Sequence, residues 1–303
     1  MMGASWRPEL QLGYVEGKRL VRNPLLWITG VVAAVWVGTY VDSGNPDQDR
    51  YVLSVGYALA VLGFVAIAHT MLAVIRSRTY QTAELLDVLP VGPDRRSIGH
   101  GLSAVNGGLA AAAATIVIVA MRGLKPSGQT WDAGVQGSPT VPQLNTAQLL
   151  QGPIAILVAC LFVVALARWV PSWLIIVPLF VLTMFQTIVF GIWFAVETDN
   201  PLTWLWPLAP GVVHDGWAGC GPTDAICELQ VSGFDQTTPW WHLAYLVALC
   251  VWLVTIAVLR HRRDRKTWMV FSSSMALVVA LAITQIMVAK DYVPGVIEFA
   301  AHQ

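Results

Sequence analysis

Seven apolar runs, separated by polar or charged segments, dominate the chain. They fall at about residues 25–40, 51–75, 98–121, 149–167, 173–196, 242–259 and 268–289. Most approach or reach the roughly 20 residues a helix needs to cross a bilayer core. None shows the strict two-residue alternation of a barrel strand. In lipid, every backbone polar group must find its partner inside the element, so the pattern predicts membrane-spanning helices. Spans two and three carry small residues where helices can pack closely: Gly56, Ala60 and Gly63 in one, Gly99, Gly101, Gly107, Gly108 and the alanine run 110–114 in the other.

The segments between the runs differ in character. In residues 6–23, apolar Leu10, Tyr14, Val15 and Val21 alternate with Glu16, Lys18, Arg19 and Arg22. That pattern predicts a helix in the membrane interface with its basic side towards headgroups; the alternative is a disordered basic tail. Residues 76–96, RSRTYQTAELLDVLPVGPDRR, are longer than a simple connection requires and basic at both ends. Residues 84–90, ELLDVLP, read as one or two turns of amphipathic helix stopped by Pro90. The link 168–172 is short, so spans four and five form a tight hairpin. The longest polar stretch, 197–241, contains PLTWLWPLAPGVV, too short and proline-rich to span, and reads as re-entrant or interfacial.

Composition agrees with this pattern. The chain has 303 residues, of which 56% are hydrophobic and 12% charged, with a mean hydropathy of +0.61. Soluble domains carry roughly twice that charge. Net charge is zero, but the cations are sorted: 14 of the 18 Lys and Arg residues fall on one side if the seven spans are threaded in order. The positive-inside bias then puts the N-terminus in the cytoplasm and the C-terminus outside. Trp27, Trp169, Trp173, Trp193, Trp240, Trp241 and Trp268 lie near span ends, as an aromatic belt requires. No cleavable leader is visible before the first run. There is no P-loop, HExxH or CxxC pattern, so neither ATP hydrolysis nor metal binding is expected of this chain, and no nucleic-acid partner is expected.

Few residues could carry chemistry. His69 lies in span two, where an ionisable group is either functional or makes a helix–helix hydrogen bond. Asn106 in span three and Thr183, Gln186 and Thr187 in span five either face a pathway or bond between helices. No Asp, Glu, Lys or Arg sits mid-span, which argues against an ion-coupled carrier. Cys220 and Cys227 in the outer loop fit a small disulfide-closed loop; a metal site with His214 and Asp215 is the rival. Cys160 and Cys250 lie within spans as small apolar residues. The basic run 260–266 reads as a topology signal in contact with anionic lipid.

Two stretches carry a family resemblance. GKRLVRNPLLW resembles the start of permease subunits of ATP-binding cassette (ABC) transporters of the type-2 exporter family. There, a basic elbow helix runs into the first span. RTYQTAELLDVLPVGPDRRSIG resembles that family's cytoplasmic loop between spans two and three, with its E-L-L-x-x-L-P core. The layout of loops is also similar. The resemblance covers about residues 10–260, and the seventh span is an addition to the family's six.

It implies an all-α fold with an elbow helix in residues 1–24 and a six-span permease domain in 25–260, to which the hydrophobic pattern adds a basic loop, seventh span and outer tail in 261–303. The loops at 76–97 and 197–241 would be the coupling loop and an extracellular loop. A short coupling helix would dock into a separate ATP-binding cassette ATPase subunit, with Leu85, Leu86 and Leu89 as apolar anchors, Glu84 and Asp87 as polar contacts, and Pro90 ending it. ATP and Mg would belong to that partner, and a second permease copy or homologue would complete the pathway. The cargo would be hydrophobic or amphipathic (a drug, antibiotic, peptide or lipid) and the location a bacterial cytoplasmic membrane. A membrane-embedded enzyme acting on lipid, or a non-transporting sensor or assembly factor, are the alternatives.

Overall fold

The structure, a computed structural model, describes residues 7–41, 48–76, 92–121, 146–170, 205, 216–219, 226–233, 238–289 and 293–300. Its helices are α1 (Arg7–Val21), α2 (Pro24–Val41), α3 (Gln48–Arg76), α4 (Pro93–Met121), α5 (Thr146–Trp169), α6 (Thr238–Leu259) and α7 (Arg265–Ala289). Each contains the apolar run read from the sequence at that place, and α1 covers the amphipathic N-terminal segment. The fifth run and the segment 82–89 lie outside the described residues.

Local sequence accounts for the element ends. Glu9 in the first turn of α1 and Lys18 and Arg19 in its last turn match the helix dipole. α1 ends at Val21, and the side-chain oxygen of Asn23 accepts from the Leu25 amide at 3.0 Å and so caps α2. Pro24 then takes the first helical position, where its missing N–H costs nothing. The indole of Trp27 donates back to the Val21 carbonyl at 2.7 Å and closes the corner between α1 and α2. At α7, Asp264 accepts from the Thr267 amide at 2.9 Å, an N-cap in the same sense.

Four described helices are long and apolar enough to cross a membrane: Arg95–Val117, Leu149–Trp169, Trp240–Leu259 and Arg265–Met287. Pro24–Ala33 and Leu62–Arg76 are shorter apolar helical stretches. This is a helical membrane protein by the length and composition of these elements.

The core lies around α5, which packs on α3, α4 and α6. Val74, Ala104, Cys160, Val164 and Leu246 are buried there. Glycine makes the close approach workable: a Cβ at Gly107 would stand 3.1 Å from the Ala66 Cβ and 3.3 Å from the Cys160 Sγ. With lipid as apolar as leucine, such close van der Waals packing is what holds membrane helices together. Cys160 and Cys250 are free thiols within this apolar packing.

Outside the helices, β1 (Gly216–Gly219), β2 (Ile226–Gly233) and β3 (Val293–Ala300) form an antiparallel sheet in the order β1-β2-β3. It occupies stretches that the sequence pattern assigned to a loop and a tail, and it adds strands to an otherwise helical architecture. Pro294 sits on β3, an edge strand, where a missing ladder donor is tolerated. The β2–β3 pairing brings the segment before α6 to the segment after α7. Both ends of the α6–α7 hairpin are thus tied at one level.

Candidate functional site

The most polar buried arrangement among the described residues is where α1 lies against α3 and α4. Glu9 and Glu16 are two helical turns apart, so they project from the same face of α1. Gly13 and Gly17 lie on that face too, and they let α1 approach α4 closely. A Cβ at Gly13 would fall 2.9 Å from the Leu102 Cβ, and one at Gly99 only 2.7 Å from the Leu12 Cδ2. At Gly17 a Cβ would run into the Asn106 carboxamide. The Asn106 Nδ2 donates to the Gly13 carbonyl at 3.2 Å, a hydrogen bond between α4 and the elbow.

The two buried carboxylates point at cations on different helices. Glu16 Oε2 accepts from Arg76 Nη2 at 3.0 Å, and Oε1 accepts from Arg19 Nη1 at 2.5 Å. The Glu16 side chain is only 6% exposed, while those of Arg19 and Arg76 are about half exposed. Glu9 Oε1 lies 3.4 Å from Arg95 Nε. His69 is buried beside this network, with its Nε2 3.2 Å from the Glu16 carbonyl oxygen and 3.8 Å from Oε2.

Position along the chain gives these contacts their meaning. Arg76 is the last residue of α3, and Arg95 lies in the first turn of α4. They are the two shoulders of the long polar segment between these helices. One face of α1 therefore holds both ends of that segment. Meanwhile Leu10, Tyr14, Val15 and Val21 on the opposite side of α1 are exposed. α1 thus turns its acids and Leu20 inwards and Leu10, Tyr14, Val15 and Val21 outwards, the arrangement expected of a helix lying against lipid.

The remaining candidates can now be placed. His69 and Asn106 both come to the elbow junction, His69 from α3 and Asn106 from α4. Glu84, Leu85, Leu86, Asp87, Leu89 and Pro90 lie outside the described residues, as do Thr183, Gln186, Thr187 and Cys220; Cys227 is on β2. Among the described residues there is no group of three or more His, Cys, Asp or Glu side chains that could hold a metal ion.

Sequence reasoning did not single out Glu9 or bury Glu16. The available signal was the pair Gly13 and Gly17, one turn apart and interleaved with Glu9 and Glu16, which marks a face built for close approach. A second buried polar contact also went unread. His242 Nδ1 on α6 meets Gln285 Nε2 on α7 at 3.0 Å, both side chains being fully buried. Nearby, the Tyr245 hydroxyl donates to the Leu205 carbonyl at 2.9 Å.

A comparison of the chain with family models, characterised proteins and solved structures returned no match.

Proposed function

We propose that this chain is the permease subunit of an ATP-driven exporter of the ABC type-2 class. It would move a hydrophobic or amphipathic cargo across a bacterial cytoplasmic membrane, with the N-terminus and the 76–97 loop in the cytoplasm. The proposal starts from the resemblance of the elbow and loop motifs. The observation that carries it is the double clamp of α1 on the loop shoulders, Glu16 to Arg76 and Glu9 to Arg95. A loop that only joins two spans has no need of such bracing. A loop that receives force from a soluble partner does, because its ends must move as a body with the spans.

In this reading Leu85, Leu86 and Leu89 enter a cleft of the ATPase subunit, and Glu84 and Asp87 flank them. The partner binds and hydrolyses ATP. This chain's residues transmit the displacement: through Arg76 to α3, through Arg95 to α4, and through Glu9 and Glu16 to the elbow.

Affinity capture of the tagged full chain from solubilised native membranes tests the proposal. An ATPase subunit should co-purify with the wild type and be lost from the E84R/L86R variant, with the variant still folded. Absence of any ATPase from the folded wild type would overturn the proposal.

A further inference from the structure

The turn between α6 and α7 concentrates positive charge that one described carboxylate offsets only in part. Arg260, Arg262, Arg263, Arg265 and Lys266 fall within seven residues, and all are exposed. Asp264 is the one carboxylate among them, and its oxygens are already engaged. Oδ2 accepts from Arg262 Nε at 3.0 Å, and Oδ1 accepts from the Thr267 amide and hydroxyl. Arg260 is stacked over the Trp169 ring at 5.6 Å. Arg263, Arg265 and Lys266 form no ion pair with any described carboxylate. Like charges this close repel, and an anion brought to them is favoured.

The surroundings define what that anion is attached to. The turn joins two span-length apolar helices, Trp240–Leu259 and Arg265–Met287, so it sits where the hydrocarbon ends. The exposed indoles of Trp169 and Trp268 stand at the same level. The next two residues of α7, Met269 and Val270, are exposed and apolar. The ligand must therefore present a negative head to the turn and an apolar body to the helix directly beside it. An acidic soluble protein offers the first without the second.

We propose that the 260–266 turn docks the headgroups of anionic phospholipids, with Arg263, Arg265 and Lys266 as the phosphate-facing cations. The inference is independent of any ATPase partner. It also gives α7, which packs chiefly on α6, a second attachment at its N-terminal end, from the lipid side.

The test uses the purified full chain, stripped of lipid in detergent and titrated with phosphatidylglycerol or phosphatidylcholine, with bound lipid counted by native mass spectrometry. Wild type should bind phosphatidylglycerol more tightly, and rising salt should weaken that binding. Each cation near an anionic surface is worth about fivefold, so R263Q/R265Q/K266Q should bind phosphatidylglycerol roughly a hundredfold more weakly. Its phosphatidylcholine binding should not change, and R263K/R265K should behave as wild type.

If the triple variant fails to fold, the three single Gln variants are read instead, each with an expected loss of about fivefold. Equal binding of the two lipids by wild type overturns the proposal. So does a folded variant with undiminished phosphatidylglycerol binding, or displacement of the lipid by glycerol phosphate at equal concentration, which would make the site a free-phosphate site. Capture of an acidic soluble protein through this turn, without lipid preference, overturns it as well.

Discussion

Glu16 and Arg76 are separated by 60 positions in the chain and meet at 3.0 Å, joining the elbow helix to the last residue of α3. The carboxylate is buried and the guanidinium is half exposed. That asymmetry decides what each truncation leaves behind. Arg76→Ala leaves the buried carboxylate with the Arg19 guanidinium alone and no way to turn to water, whereas the half-exposed guanidiniums left by Glu16→Ala can reach it. A hydrogen bond to a charged group is worth about 1.5–3 kcal/mol net, and solvent screening at the exposed arginines brings Glu16→Ala to about 2 kcal/mol. Arg76→Ala should cost about as much, and the double variant less than the sum of the two single losses. Thermal unfolding in detergent reads all three, and strictly additive losses would show that the two side chains are not coupled.

Gly17 predicts a suppressible defect. An added methyl meets the Asn106 carboxamide. Overpacking of this kind costs about 1–3 kcal/mol. Gly17→Ala should therefore lower the unfolding midpoint, and Asn106→Ala should restore part of it despite losing the bond to the Gly13 carbonyl. If G17A/N106A is no more stable than G17A, the close approach of α1 and α4 is not what Gly17 serves.

The same interface predicts a cross-link. The Leu12 Cβ is 3.2 Å from the position of a Cβ at Gly99. Disulfides have a Cβ separation near 3.8 Å, so Leu12→Cys with Gly99→Cys should join under mild oxidation in a background lacking the native cysteines. Mass spectrometry of the linked peptides checks it, with Tyr14→Cys, on the exposed side of α1, as the pair that should not form.

The helices were legible because apolar length and composition are local properties. The N-terminal segment was legible as an amphipathic helix. The inward direction of its acids was not legible. Alternation places Glu16 with Lys18 and Arg19 on a polar side, and only the distant Arg76 turns it into the core. Periodicity reports that a residue shares a face, never which residue 60 positions away will meet it. The sheet failed for the same reason. Residues 226–233 pair with 293–300 across two intervening helices, and neither segment has the composition of a strand with a partner beside it. Conversely, Cys160 read correctly as a small apolar residue, because nothing but its neighbours in the same helix was needed.

His242 and Gln285 predict non-additivity at the other end of the molecule. Both are fully buried and meet at 3.0 Å between α6 and α7. Removing one partner leaves a buried polar group short of a bond, at a cost of about 1–3 kcal/mol, whereas replacing both by apolar groups is nearer neutral. H242L and Q285L should each lower the unfolding midpoint, and H242L/Q285L should recover part of the loss. A double variant less stable than either single one would mean that the pair does not act as a unit.

Asp264 gives a pH-dependent prediction outside the membrane. Hydrogen bonds from the Thr267 hydroxyl and amide, with help from Arg262, favour its charged form and lower its pKa to about 2. The unfolded value is about 3.9. A depressed carboxylate contributes stability that is fully present above the unfolded value and is lost as pH falls through the folded one. The cap of α7 should therefore hold from neutral pH down to about 4 and weaken between there and about 2. Unfolding midpoints of wild type and Asp264→Ala, measured in lipid-free detergent across this range, should differ by a constant amount above about pH 4.5 and converge below it. Asp264→Asn, which keeps an acceptor for the Thr267 amide, should fall between the two and show little pH dependence. A gap that persists unchanged at the acid end would mean that the aspartate's charge plays no part in starting α7.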